Sequence, residues 1–414
     1  MTSKNHEWLQ CRRCGSRYET SKTFYLCECR SLLEVKRDEK VSQMLSLDKI
    51  DQRLRSRDAI DRSGVWRFRE QVFHCEAKDI VSHPEGGTNL YSHPNLSAFA
   101  GHEQLTFKHE GQNPTGSFKD RGMTVAVTMA KKLGMTTLAC ASTGNTSASL
   151  ASYAGQAGLK AVVFIPKGDV AIGKIAQAIA YGATCLAVRG DFDQAMALVR
   201  SAAEQGVIYL VNSINPWRLE GQKTIIWELF QDLKWQAPDW IIVPGGNLGN
   251  TAAFGKAITE AWQGGWIGKR PRLATIQAAG ASPFYQSFQN NFNELNPVKA
   301  ETIATAIKIG HPVNYEKAYR SILAHNGIVE VVDDDQILVA KGEIDRWGIG
   351  CEPASAASLA GAKKLIAKEI IKPHETVTCI LTGNLLKDPD VIMNQGKSAM
   401  IDVDPDMAAI EKYL

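Results

Sequence analysis

One lysine in this 414-residue chain stands where an amine becomes reactive. It lies in Asn113-Pro114-Thr115-Gly116-Ser117-Phe118-Lys119-Asp120-Arg121-Gly122, a loop of small and polar residues entering a helical pattern. A lysine so placed can be tuned to form an imine with a carbonyl compound. A second segment, Gly245-Gly246-Asn247-Leu248-Gly249-Asn250, follows the apolar run Trp240-Ile241-Ile242-Val243. Glycines between a strand and a helix let backbone N–H groups converge on an anion, and the helix dipole adds to the attraction. The loop has neither a Walker lysine nor dinucleotide spacing. It reads as a cup for one phosphate, although a plain tight connection accounts for it equally well. An imine-forming lysine together with a single-phosphate cup is what pyridoxal phosphate requires.

Three further loops carry polar groups in excess of structural need. Ala141-Ser142-Thr143-Gly144-Asn145-Thr146-Ser147 joins a strand pattern to a helix start, where backbone donors are free. One cap needs one hydroxyl; four hydroxyls and an amide suit a carboxylate or a phenolate oxygen. Val211-Asn212-Ser213-Ile214-Asn215-Pro216-Trp217-Arg218 offers an amide, a hydroxyl and a guanidinium, a plausible fork for a second phosphate. An exposed helix arginine is the plainer reading of Arg218. In Thr378-Cys379-Ile380-Leu381-Thr382-Gly383-Asn384 a strand ends on a single threonine hydroxyl, a feature that is usually only capping.

Nine cysteines are present, and four of them form the pairs Cys11/Cys14 and Cys27/Cys29. The residues between include Tyr18, Phe24, Tyr25 and Leu26, so residues 8–36 read as a small ribbon. The pairs suit either zinc or a metal-free remnant, because the Cys-x-Cys spacing of the second is poorer for a tetrahedral knuckle. The remaining cysteines are scattered, which fits reduced thiols better than a disulfide framework.

These loops need a scaffold, and the pattern along the chain supplies one. Residues 37–63 are rich in charge and read as a surface linker with some helix. From about residue 104, strand and helix signals alternate. Strands are expected at 105–108, 137–141, 161–165, 184–188, 207–211 and 240–243, with helices at 117–133, 146–157, 172–181, 192–204 and 217–233. Such alternation argues for parallel sheets with right-handed crossovers, whose ligands sit beyond the carboxyl ends of the strands. The net charge of +3, with both signs mixed, gives no electrostatic case for nucleic acid or an anionic membrane surface. Hydrophobic content of 44% and charged content of 22% are those of a globular protein, and no apolar run reaches membrane-spanning length. The polar N-terminus makes a cytosolic enzyme the default expectation.

Taken together, these segments resemble the threonine synthases, a branch of the fold type II pyridoxal-phosphate enzymes. The matching stretches run from Glu85-Gly86-Gly87-Thr88 through Lys108 to Gly122, Ser142 to Thr146, Asn212 to Gly221, Gly245 to Asn250 and Ile303 to Pro312, ending with Leu381 to Asp388. The resemblance covers about residues 84–392, and the Asn212-to-Gly221 segment separates threonine synthases from their relatives. It implies a two-domain fold type II enzyme with three-layer α/β/α domains and a small N-terminal zinc-ribbon-like module. The expected parts are the module at 1–40, a large cofactor-binding domain at 41–107 and 216–414, and a small domain at 108–215 carrying the lysine.

By the same resemblance, Lys119 holds pyridoxal phosphate and serves as general base and acid. Gly246, Asn247, Leu248, Gly249 and Asn250 take the cofactor phosphate, Asn145 its phenolic oxygen and Thr382 its ring nitrogen. Ser142 and Thr143 take the substrate carboxylate, and Thr146, Asn212, Ser213, Arg218 and Asn247 surround the substrate phosphate. The reaction implied is conversion of O-phospho-L-homoserine and water to threonine and phosphate by a homodimer. Gly383-Asn384-Leu385 departs from the Gly-His-Gly that many relatives carry, which puts the ring environment in question. Alternatives are a cysteate-synthase-like enzyme using O-phosphoserine, a threonine or serine dehydratase, or a zinc-dependent binding protein on a retired scaffold. The Asn212-to-Arg218 cluster speaks against the dehydratases, which need no second phosphate site.

Overall fold

The computed structural model describes residues 6–38, 45–167, 172–190, 192–395, 401–411 and 413–414. Its strands form three sheets. The first is an antiparallel ribbon ordered β2-β1-β3, from Glu7–Cys11 (β1), Arg17–Glu19 (β2) and Leu33–Arg37 (β3). The charged segment after it contains the short helices α1 (Leu47–Leu54) and α2 (Ala59–Arg62), each opened by a side-chain cap, Ser46 and Asp58.

The largest sheet has six strands in the order β12-β11-β10-β13-β5-β4. These are Leu90–Tyr91 (β4), Leu105–His109 (β5), Trp240–Pro244 (β10), Arg272–Ala278 (β11), Ile328–Val332 (β12) and Val377–Leu381 (β13). All pairs are parallel except β4 with β5. Strand β5 continues through the boundary expected at residue 108, and His109 still pairs with Leu381. The remaining sheet is wholly parallel, β8-β7-β6-β9, from Thr137–Ala141 (β6), Lys160–Pro166 (β7), Thr184–Val188 (β8) and Tyr209–Leu210 (β9). Strand β9 is shorter than the 207–211 expected and lies at an open edge.

Both larger sheets are buried on two sides, as their near-continuous apolar strands require. In β10, Ile241 and Val243 face one apolar core while Trp240 and Ile242 face another. In β6, Leu138 and Cys140 face that first core, and Ala139 and Ala141 a third. The period of two thus makes one core common to both sheets. The helices that cover them include α3 (Lys119–Lys132), α4 (Asn145–Ala157), α5 (Ile172–Ala180) and α6 (Phe192–Glu204) around the smaller sheet. Around the larger are α7 (Pro216–Gln222), α8 (Thr224–Asp232), α9 (Gly249–Gln263), α10 (Tyr315–Ala324), α11 (Asp334–Arg346) and α12 (Pro353–Ala367).

The single helix expected over 217–233 is interrupted at Lys223, between α7 and α8. The backbone at Lys223 stays in the helical region, and its ammonium donates to the Gln71 carbonyl and to Glu220 and Glu260. No helix among the described residues is long and apolar enough to cross a membrane.

Candidate active site

Two glycines set the spacing of the site. Helices α3 and α7 cross with their backbones in contact at Gly122 and Gly221. A Cβ on Gly221 would lie 1.7 Å from the Arg121 carbonyl oxygen, and one on Gly122 would lie 2.8 Å from the Arg218 carbonyl oxygen. Only hydrogen fits at either position. The crossing brings Lys119, the first residue of α3, toward Arg218 in α7.

The loop before Lys119 is sewn to the end of β13. Phe118 N donates to the Thr382 carbonyl at 3.0 Å and Asn384 N to the Gly116 carbonyl at 2.9 Å, with Ser117 bridging to Gly383. Sequence positions far apart, Lys119 and Thr382, therefore share one strand end. The Lys119 amine lies 4.0 Å from the centroid of the Phe118 ring. Burial, then the neighbouring Arg218 guanidinium, bring its pKa from 10.5 down to about 7, against a smaller opposing pull from Glu352. A good share of the amine is neutral at physiological pH, the form that attacks a carbonyl or takes a proton.

Glu352 is the residue that the sequence reading missed. It precedes Pro353 at the start of α12 and is 4% exposed. Its carboxylate accepts from the Asn145 amide at 3.0 Å and from the Thr382 hydroxyl at 3.1 Å. It thus touches the two residues expected at opposite polar atoms of the cofactor ring. Burial pushes its carboxyl pKa up, while those two hydrogen bonds and Lys119 work the other way. A Cβ on Gly383 would lie 2.4 Å from the Glu352 carboxyl carbon, so the glycine after Thr382 leaves the carboxylate its place. Ser355, also in α12, receives the backbone N–H groups of Thr382 and Gly383 and pairs with the Thr382 hydroxyl at 2.9 Å. Asn384 caps the short turn after it by accepting from Leu386 N.

The glycine loop after β10 turns at Leu248, whose φ of 62° is left-handed, and delivers α9 with no side-chain cap. Gly246 packs against the backbone at Ile307, 3.0 Å from where its Cβ would be. The amides at the start of α9 are thus left for a ligand. Asn247 accepts from Val313 N through its side chain and from Asn314 N through its carbonyl. Nearby buried polar atoms lack partners: Arg218 Nε, Gln222 Oε1, Asn250 Oδ1 and Asn314 Oδ1. Orphans of this kind are rare in folded interiors and mark where a polar ligand belongs.

Arg218 is 2% exposed, and among the described residues its guanidinium makes one hydrogen bond, to the Val211 carbonyl at 3.1 Å. Burial lowers its pKa to about 10. Asn212 stands beside it, but both ends of its amide are engaged with the Ala141 backbone at 3.0 Å. With its oxygen and one of its two N–H groups, Asn212 fixes the start of the Ser142–Thr146 loop. Ser142, Thr143, Asn145, Thr146 and Ser213 are half-buried, and α4 begins at Asn145 without a side-chain cap. The arrangement sets a near-neutral amine at Lys119 with uncapped helix starts at α9 and α4 and the buried Arg218 guanidinium. Its donors fit pyridoxal phosphate and a second phosphate.

In the ribbon, the sulfur atoms of Cys11, Cys14, Cys27 and Cys29 all lie within 4.8 Å of one another, and all four are free thiols. Cys11 and Cys29 are 3.5 Å apart, Cys14 and Cys27 3.4 Å. A tetrahedron with Zn–S bonds of about 2.3 Å has S···S edges of about 3.8 Å.

The model of the pyridoxal-phosphate dependent enzymes matches residues 81–383. The threonine synthase of Methanocaldococcus jannaschii is 46% identical over 408 residues, 98% of either chain. That of Methanosarcina acetivorans is 44% identical over 410 residues, again 98% of either chain. Among solved structures, maize serine racemase superposes with a TM-score of 0.64 at 21% identity, covering 75% of this chain and 92% of its own. The processed threonine deaminase isoform 2 of Solanum lycopersicum gives 0.64 at 22% identity, covering 85% and 90%. Those two show the shared fold; the near full-length match to the archaeal proteins goes further. The chain belongs to the threonine synthase family of pyridoxal-phosphate dependent enzymes.

Proposed function

We propose that this chain converts O-phospho-L-homoserine and water to L-threonine and phosphate. The observation that carries the reading is Arg218: a buried guanidinium with an unpartnered Nε, beside a lysine whose amine is held near neutrality. A dehydratase or racemase acting on an unphosphorylated amino acid has no use for such a group.

When bound, pyridoxal phosphate supplies an electron sink for negative charge on the substrate carbons. Gly246 to Asn250, at the open start of α9, hold its phosphate, and Asn145 and Thr382 orient its ring. Ser142 and Thr143 receive the substrate carboxylate beside the uncapped start of α4. Lys119 takes the α-proton and then a β-proton, which its lowered pKa permits. Arg218, with Ser213, Thr146 and Asn247 nearby, binds the phosphate that leaves from the γ-carbon and offsets its charge. Asn212 acts one step back, by holding Ala141. Glu352 keeps Asn145 and Thr382 in register. Lys119 then returns a proton to the γ-carbon, water adds its hydroxyl at the β-carbon, and a second proton goes back to the α-carbon, which completes threonine.

The test is a paired assay on protein supplied with pyridoxal phosphate, with products identified by mass. Threonine from O-phospho-L-homoserine supports the proposal. Cysteate from O-phospho-L-serine and sulfite, without threonine, would move the chemistry to β-replacement. The domain division at 107/108 and 215/216, a homodimer and a cytosolic setting belong to the same proposal and rest on the resemblance. We propose in addition that Cys11, Cys14, Cys27 and Cys29 hold one zinc ion, supported by their packing. Metal analysis of the purified protein returning no zinc would refute that part.

A further inference from the structure

We infer that the N-terminal ribbon braces the substrate-phosphate pocket, and that Tyr25 is the positioning residue through which it acts. The inference builds on the pocket proposed above. Tyr25 lies two residues before Cys27, on the loop that the cysteine cluster closes. Its phenol oxygen accepts the Leu210 N–H at 2.7 Å. Leu210 ends β9, the edge strand of the smaller sheet, so this donor faces away from β6 and would otherwise lack a strand partner. The Tyr25 ring also packs against Tyr209, with centroids 6.0 Å apart.

The next residues are those that build the pocket. The Leu210 carbonyl accepts from Asn215, whose other side-chain atom caps α7 at Trp217. The Val211 carbonyl receives the one hydrogen bond that Arg218 makes. Asn212 grips Ala141. A displacement of Leu210 therefore moves the carbonyl that aims Arg218 and the residue that holds the Ser142 loop.

The other side of the ribbon is bolted to the larger sheet's helices. Lys317 donates to the Leu33 carbonyl at 2.6 Å and Lys256 to the Val35 carbonyl at 2.7 Å. Arg37 pairs with Glu7 at 2.7 Å and with Glu220 at 2.5 Å, and Ser31 donates to Glu316 at 3.0 Å. Glu316 lies in the first turn of α10, beside Asn314, which reaches the Ser213 carbonyl at 3.2 Å. The ribbon thus grips α9 and α10 on one side and β9 on the other, with the anion pocket between them.

Tyr25→Phe in the full-length, cofactor-loaded enzyme is the test, since it keeps the ring and deletes the accepting oxygen. Three quantities are read: binding of inorganic phosphate by calorimetry, KM and kcat with O-phospho-L-homoserine, and hydrogen exchange at the Leu210 amide. Loss of one hydrogen bond predicts a rise of about three- to tenfold in the phosphate Kd and in KM. Leu210 exchange should quicken, with kcat within about twofold of the parent and zinc content unchanged, and the thermal midpoint should fall only modestly, since the loss leaves one buried N–H without its acceptor. Faster Leu210 exchange with unaltered phosphate binding and KM would overturn the inference, as would a fall in kcat alone. If the protein carries no zinc, the metal proposal fails while the Tyr25 comparison still decides the brace. If no threonine forms, phosphate titration and amide exchange still decide it.

Discussion

Two buried arginines sit on the crossing helices, and they are opposites. Arg121 in α3 is fully buried and saturated. It pairs with both oxygens of Glu110 at 2.7 Å and with Glu228 at 2.7 Å, and donates to the Gly64 carbonyl at 3.2 Å. Glu228 is itself shared with Lys108 at 2.8 Å and with Arg67 at 3.5 Å, and it receives Gly87 N and Thr88 N. These anions hold the Arg121 pKa above its ordinary value in spite of burial. Arg218 in α7 has one carbonyl and an idle Nε, and burial depresses its pKa instead. A buried cation whose every proton is used is scaffolding. One that is left short, within reach of a near-neutral lysine, is a socket for an anion.

The contrast can be broken from either side. The largest effect should come from Lys119→Ala, which removes both the cofactor's attachment and the proton carrier. Turnover should fall by about a thousandfold or more, and steady-state threonine formation near the parent rate would end the assignment. Next is Glu228→Ala, which strands Arg121, Lys108 and Arg67 without their shared anion. Breaking a buried ion pair costs about 3–5 kcal/mol, and calorimetry should show a clearly lower thermal midpoint. An unchanged midpoint would deny the network its structural role.

Arg218→Ala should behave in the reverse manner. Affinity for phosphorylated substrate should drop about 10- to 100-fold, the worth of a charge-assisted pair of hydrogen bonds. The midpoint should not fall as it does for Glu228→Ala, because little in the protein depends on this guanidinium. Unchanged saturation by the phosphorylated substrate would count against the socket. The mildest effect is one of pH. Between about 7 and 10.5 the unfolded chain keeps a proton on Lys119 that the folded protein has lost, so stability gains from this group as pH rises through that window. Pyridoxal phosphate uptake by cofactor-free protein should climb about tenfold per pH unit below about 7 and level off above it. A plateau reached only near 10 would mean that the amine is not depressed.

The parts legible in the sequence were those in which local chemistry dictates local shape. The glycines at 245, 246 and 249 announce a close approach of backbone, and the structure packs Gly245 and Gly246 tightly. The alternating apolar runs gave the parallel strands because each strand is covered on two faces. Glu352 was illegible for the opposite reason. It lies more than two hundred residues from Asn145, which it contacts, and before a proline it reads as an ordinary helix start. The hold that Asn212 has on the Ala141 backbone was invisible too, since the two residues are 71 positions apart. The partners of Lys223 were hidden likewise, since Gln71 and Glu260 come from other elements.

The glycine crossing has one further consequence. The Gly221 Cα and the Arg121 carbonyl approach so closely that no side chain could stand between α3 and α7. The spacing of the two helix backbones that carry Lys119 and Arg218 is therefore written in main chain, and no side-chain rotamer changes it. In the proposed reaction, that crossing gives the two side chains a common fixed base, so moving their anchor points apart means parting two helices.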